Sequence, residues 1–155
     1  MNKEPKTHND HSYSQITDHL YLGYNMRCCE MHFEKLLSLG ISVDINVEAE
    51  NTEDPTGMEI HLWLPTKEHE VPSQAQLLIG AHAIQSAILK DKTVYVHCEK
   101  GHARSVTVVG AYLILEGKTP EEALKLIKEK RDVTHPGEEH LAALQEFSTS
   151  LPPSK

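Results

Sequence analysis

The segment "TVYVHCEKGHARSVTVVGAYLIL", residues 93–115, changes character twice. It begins as an apolar strand, passes through a polar run from Cys98 to Arg104, and resumes as an apolar stretch of helical length. A chain with only three cysteines and three arginines thus sets Cys98 and Arg104 on either side of one turn centred on Gly101. Glycine permits positive φ, so such a turn can curl tightly and aim successive backbone N–H groups inward as an anion nest. A helix starting near Ala103 adds free N–H groups and the positive end of its dipole. Arg104 offers a planar fork that matches two oxygens of a phosphate. Cys98 lies at the floor of this positive bowl, where the thiolate is the favoured form and a nucleophile for in-line attack at phosphorus. Ser105 follows directly, placed to donate a hydrogen bond to the sulfur when it must leave again. The loop positions Glu99, Lys100, Gly101, His102 and Ala103 then bind phosphate through their N–H groups. Lys100 and His102 line the mouth, and the Glu99 side chain points away or pairs with a neighbour.

Upstream, "HLYLG" (19–23) reads as a short strand and "CEMHFEKLLSLG" (29–40) as a helix with Phe33, Leu36, Leu37 and Leu39 at helical spacing. "ISVDINV" (41–47) and "MEIHLWL" (58–64) alternate as strands on either side of the turn cluster "ENTEDPTG". "PTKEHEVP" (65–72) reads as a loop bounded by prolines. Ser73 caps a long helix with Leu77, Leu78, Ala81, Ile84, Ala87 and Ile88 along one stripe. Downstream, Thr119-Pro120-Glu121-Glu122 opens a helix to about Lys130, and a last helix near 137–149 carries Leu141, Leu144 and Phe147 on one side. Strands alternating with helices predict one α/β domain: a central, mostly parallel sheet of four to five strands flanked by helices on both faces, with little place for hairpins. In such sheets ligands bind beyond the carboxyl ends of the strands, which is where Cys98 falls.

A length of 155 residues suits a single domain. No apolar run approaches the ~20 residues of a membrane span, and "MNKEPKTHNDHSYSQ" has no apolar core of a leader peptide. Residues 1–14 and 150–155 read as flexible tails around a domain at 15–149. Cys28, Cys29 and Cys98 are odd in number and lack metal-ligand spacing, which fits a reducing, cytoplasmic setting. A formal net charge of −8 argues against nucleic acid or an anionic membrane as partner, since both need a basic footprint. An anionic substrate must therefore be caught by a local positive site.

"HCEKGHARS" resembles the His-Cys-x-x-Gly-x-x-Arg-Ser/Thr signature of cysteine-dependent protein tyrosine phosphatases. The "ITDHLYLG…LLSLGIS" opening and the closing "RDVTHPGEEHLAALQEF" are similar to the dual-specificity branch, so the likeness covers residues 15–149. The resemblance implies a protein tyrosine phosphatase-like fold and no cofactor. It also implies that Cys98 is the nucleophile, Arg104 holds the phosphate and transition state, and Ser105 assists the second step. His97 would support the loop from behind, with a plain strand-end core histidine as the alternative.

Phosphate monoester cleavage also needs an acid for the departing oxygen and a base for the attacking water. The family uses an Asp in the pattern Pro-x-x-Asp, about thirty residues before the Cys; here that pattern becomes Pro65-Thr66-Lys67-Glu68, thirty residues before Cys98. Glu68 is the candidate, with Glu70 in reserve. Glu is one methylene longer than Asp, so the loop must sit slightly back. Lys67 either draws in anions or is simply solvated.

The eleven histidines form no three- or four-ligand set in sequence; His8 and His11 lie in the tail, while His135 and His140 flank "PGEE", so no metal is expected. Trp63 is expected in the core, and Cys28 or Cys29 is open as a redox partner of Cys98. The expected activity is metal-independent hydrolysis of phosphotyrosine in a protein or peptide, by a monomer, with phosphoserine and phosphothreonine left open. A phosphoinositide, nucleotide or RNA 5′-phosphate substrate, or phosphate binding without turnover, are the competing readings.

Overall fold

The computed structural model describes residues 12–25, 30–52, 54 and 56–153. Its core element is the strand that precedes the polar turn. With strands numbered in chain order, β1 is Tyr13–Thr17, β2 Leu20–Tyr24, β3 Ile41–Glu48, β4 Ile60–Thr66 and β5 Thr93–Cys98. The helices are α1 (Glu30–Ser38), α2 (Gln74–Leu89), α3 (Arg104–Leu115), α4 (Pro120–Lys130) and α5 (Glu138–Ser150). The sheet order is β1-β2-β5-β3-β4, with β2, β5, β3 and β4 parallel. The apolar β5 is its central strand, paired on both edges.

Alternation along β3 gives the sheet two unlike faces. Val43, Ile45 and Val47 point into the main core with Leu22, Val94 and Val96. Leu77, Ala81 and Ile84 of α2, Val106 and Val109 of α3, Ile127 of α4, and Leu144 and Phe147 of α5 cover that face. The intervening residues Asp44, Asn46 and Glu48 are buried too, on the opposite face, where Leu36 of α1 packs with Tyr95. Burying three polar side chains in a row is costly unless each finds partners. The capping expected for α2 is present: the Ser73 hydroxyl accepts from Gln76 N–H at 3.1 Å and the Gln76 side chain accepts from Ser73 N–H at 3.0 Å. In α4, Thr119 accepts from Glu122 N–H at 3.2 Å.

Three expectations need correction. A hairpin does occur: β1 pairs antiparallel with β2 across a two-residue link at Asp18-His19, because the chain here is too short for a crossover helix. Since β1 begins at Tyr13 and Ser12 is buried, the expected tail ends before residue 14. The loop expected from Pro65 starts later, since β4 runs through Thr66, whose carbonyl accepts from Ala49 N–H at 3.0 Å. Pro65 is tolerated because β4 is the sheet edge and needs no donor on its open side.

Candidate active site

The loop between β5 and α3 is shaped by what its carbonyls do. Glu99 O accepts from Asn25 N–H at 3.4 Å, Lys100 O from Arg131 Nη2 at 3.2 Å, and Gly101 O from Arg131 Nε at 3.0 Å. His102 O accepts from His135 N–H at 3.0 Å, and Ala103 O from Thr107 N–H at 3.0 Å and Thr107 Oγ1 at 2.8 Å. Five successive carbonyls are tied to the surrounding protein. A trans peptide points its N–H opposite to its C=O, so the N–H groups of residues 100–104 turn the other way, into the cup. Ala103 is the N-cap of α3 and has no side chain to cap it, which leaves the helix end open toward the same space.

Gly101 is needed twice over. Its φ is +66°, and a Cβ there would meet Gly23 O at 2.4 Å. Gly23 is equally pressed, with Ser12 O at 2.4 Å and the Tyr95 hydroxyl at 2.5 Å from a hypothetical Cβ. The cup rests directly on the end of β2, where Tyr24 pairs with Cys98.

Cys98 is buried and free, with its Sγ 3.1 Å from Ser105 Oγ. Arg104 is buried to 7% exposure, and its Nη1 donates to Thr66 O at 2.7 Å and to the Glu50 carboxylate at 2.6 and 3.1 Å. Nη1 is thereby anchored to the 48–66 region, and Nη2 lies 4.0 Å from Glu99 Oε2. Glu50 is held below the usual carboxylate range: partial burial pushes it up, but the Arg104 guanidinium outweighs this.

Arg131, at the end of α4, is 2% exposed and clamps the loop from outside through Lys100 and Gly101, while its Nη1 donates to Ser14 of β1. The turn after it is knit by Thr134, whose N–H and hydroxyl both donate to Arg131 O. Burial lowers the guanidinium from its ordinary value, and the negative ends of Tyr95, Cys98 and Asp132 support its charge.

Above the cup opens a cleft of about 480 Å³ that brings Glu68, Glu70, Cys98, Lys100, His102 and Arg104 together. Glu68 sits at its rim, half exposed, with its backbone N–H donating to Glu50 Oε1 at 3.0 Å. Glu70 lines the same cleft and Lys67 does not. His69 takes positive φ (67°) in this turn, closed by Glu70 N–H to Lys67 O at 3.0 Å. The His102 and His135 rings meet nitrogen to nitrogen at 3.0 Å, and His102 stays below its ordinary value through burial and the nearby His135, Arg131 and Lys100. His140 accepts from Gly137 N–H at 3.0 Å and so caps α5. Among the described residues, the donors for a cation are Glu50, Glu68 and Glu99, whose oxygens lie within 4.8 Å of one another. Glu50 already spends its charge on Arg104.

His97 lies behind the cup with Nε2 3.0 Å from Asp44 Oδ1. Trp63 is not core: it is 42% exposed on the edge strand, its Nε1 donating to Glu48 O at 2.7 Å. Cys28 and Cys29 lie outside the described residues.

Residues 20–150 match the family described as "Dual specificity phosphatase, catalytic domain", and the chain belongs to that family. It is 30% identical over 144 residues to human Protein phosphatase Slingshot homolog 1, covering 92% of this chain and 14% of that protein. A 59-residue match to human Phosphatidylglycerophosphatase and protein-tyrosine phosphatase 1 is 47% identical, covering 37% of this chain and 29% of the relative. The crystal structure of PTPMT1 in complex with PI(5)P superposes with a TM-score of 0.78 at 28% identity, covering 88% of this chain and 94% of that one. This chain therefore spans well under half the length of the two relatives matched in sequence.

Proposed function

We propose that this chain is a metal-independent phosphatase that cleaves phosphomonoesters through a cysteinyl-phosphate intermediate. The substrates are phosphotyrosine in proteins and, where the cleft admits shorter side chains, phosphoserine and phosphothreonine. The observation that carries the reading is the tying of carbonyls 99–103 outward, which supplies a preorganised ring of N–H groups above the Cys98 sulfur.

A phosphate dianion enters the cup and is held by the N–H groups of residues 100–104 and by Arg104. The Cys98 thiolate attacks phosphorus in line, forming S–P while the ester P–O bond breaks. Glu68, at the rim, donates its proton to the departing oxygen, with Glu70 the alternative donor on the same turn. The resulting carboxylate then takes a proton from water, whose oxygen attacks phosphorus and releases the sulfur. The Ser105 hydroxyl, 3.1 Å away, donates to the sulfur as negative charge returns to it. A reducing, cytoplasmic setting suits a free thiol with this task. No helix among the described residues is long and apolar enough to cross a membrane.

A protein substrate is favoured by the rim, where among the described residues Glu68, Glu70, Glu99 and Glu139 stand beside two fixed cations, Lys100 and Arg104. Such a rim repels a polyanionic headgroup. The second reading, a non-protein phosphomonoester, is supported by the 47% identical segment and by the lipid in the PTPMT1 structure. The test is hydrolysis of p-nitrophenyl phosphate in chelator by the wild type, Cys98→Ser and Arg104→Lys, followed by phosphopeptides against phosphoinositides. Turnover that survives Cys98→Ser removes the proposed mechanism; preference for phosphoinositides replaces the protein substrate with the lipid.

A further inference from the structure

The mechanism leaves one charged assembly unused, and it lies directly beneath the loop. Asp44, in the middle of β3, is 4% exposed, yet its carboxylate is shared by two imidazoles from the two neighbouring strands. His97 Nε2 of β5 approaches Oδ1 at 3.0 Å, and His61 Nδ1 of β4 approaches Oδ2 at 2.8 Å. His97 is 1% exposed and stacks on Tyr95 at 5.2 Å and 22°, whereas the His61 side chain is 22% exposed and faces solvent. His97 is also the residue immediately before Cys98.

We propose that Asp44 is a positioning residue for this site: it orients the His97 imidazole and keeps it charged one residue before Cys98, with His61 as the outer partner that hydrogen-bonds the carboxylate. The proposal rests on the reading of Cys98 as the nucleophile. A buried imidazole without a counter-charge favours its neutral form, because desolvation penalises the cation. Asp44 supplies that counter-charge from within hydrogen-bond distance. Burial pushes the Asp44 carboxyl up, but the charge of His97 at 3.0 Å and the hydrogen bond and charge of His61 outweigh this and hold it at about 2, so it is ionised throughout the working range. Among the described residues, the remaining titratable groups facing the pair are few. They are His61 on β4, Glu48 further along β3, and Tyr95 and Cys98 on β5; the described charged residues of α1, Glu34 and Lys35, are exposed. Neutral His97 would remove a positive charge carried one residue before Cys98, across β5 from its sulfur, and a thiolate is less favoured without it.

The test reads Cys98 without needing turnover. The rate of Cys98 alkylation by iodoacetamide is followed against pH in the wild type, Asp44→Asn, His97→Asn and the double variant, beside the pH profile of kcat/KM on p-nitrophenyl phosphate. In Asp44→Asn the alkylation midpoint and the acid limb both move to higher pH by about half a unit or more, about threefold in rate on the acid side. In the His97→Asn background the Asp44 substitution has no further effect. An unchanged midpoint in Asp44→Asn, or a shift that persists in the His97→Asn background, overturns the proposal. Should Asp44→Asn fail to fold, nitrogen NMR of the wild-type histidine rings decides: a charged His97 at pH 7 supports the assignment and a neutral one overturns it. A wild type that alkylates as described but does not turn over substrate would sink the proposed function and leave this assignment standing.

Discussion

Arg131 offers the sharpest test of how the cup is held, because it touches the loop only from outside. Its guanidinium donates to Gly101 O at 3.0 Å, Lys100 O at 3.2 Å and Ser14 Oγ at 3.3 Å, all from a side chain that is 2% exposed. Arg131→Met keeps the apolar stem and removes every donor. The Gly101 carbonyl lies in a buried residue and loses its partner, and orphaning such a group together with a charge-assisted bond costs about 3 kcal/mol. For a chain of this size that lowers Tm by about 6–12 °C. The same carbonyls aim the N–H groups of residues 101 and 102, so binding of inorganic phosphate weakens about tenfold or more if roughly one such bond, ~1.4 kcal/mol, is misdirected. Arg131→Lys keeps the charge but not the fork and falls between the two. The assays are thermal denaturation and competitive inhibition of p-nitrophenyl phosphate hydrolysis by phosphate. A variant that melts within about 2 °C of the wild type, with phosphate inhibition intact, would refute the clamp.

Glu68→Gln slows phenyl phosphate about a hundredfold, with a smaller loss on p-nitrophenyl phosphate whose leaving group needs less proton donation; equal rates on both, matching the wild type, would shift the acid role to Glu70. Ser105→Ala, by removing the hydroxyl 3.1 Å from the sulfur, slows breakdown of the phosphoenzyme more than its formation, so stopped-flow traces show a burst; steady turnover without one counts against that role. Glu48 is pushed above its ordinary value of 4.5 chiefly by burial, against the pull of its Asn25 hydrogen bond and the charge of His97. An acid raised in this way destabilises the fold once pH exceeds 4.5, and the penalty saturates above the raised value. Glu48→Gln therefore raises Tm at pH 8 and not at pH 4; equal shifts at both would show that charge is not the cause.

The fold and the turn between Cys98 and Arg104 were legible because the signals were local. The apolar run at 93–98, the Ser73 and Thr119 caps and the Cys98–Gly101–Arg104 spacing each depend on a few adjacent residues. The hairpin escaped notice because Tyr13–Thr17 is a half-exposed edge strand without an apolar run. Glu50 escaped because its turn holds several acidic residues and only the fold selects the one that reaches Arg104. Trp63 was misplaced because alternation cannot distinguish a central strand from an edge strand. Arg131 carried only a family echo, since its role depends on a chain reversal 30 residues beyond Gly101. Asp44 did carry a usable signal: a charged residue inside an alternating strand of a covered sheet must find partners. The sequence could not say that both would be histidines from adjacent strands.

A crystal soaked in tungstate tests the central claim most directly. The expected result is one oxyanion seated in the loop, bonded by the N–H groups of residues 100–104 and the Arg104 fork, with the Cys98 sulfur directly beneath it. An empty loop, or an anion held at the rim away from the sulfur, would contradict it.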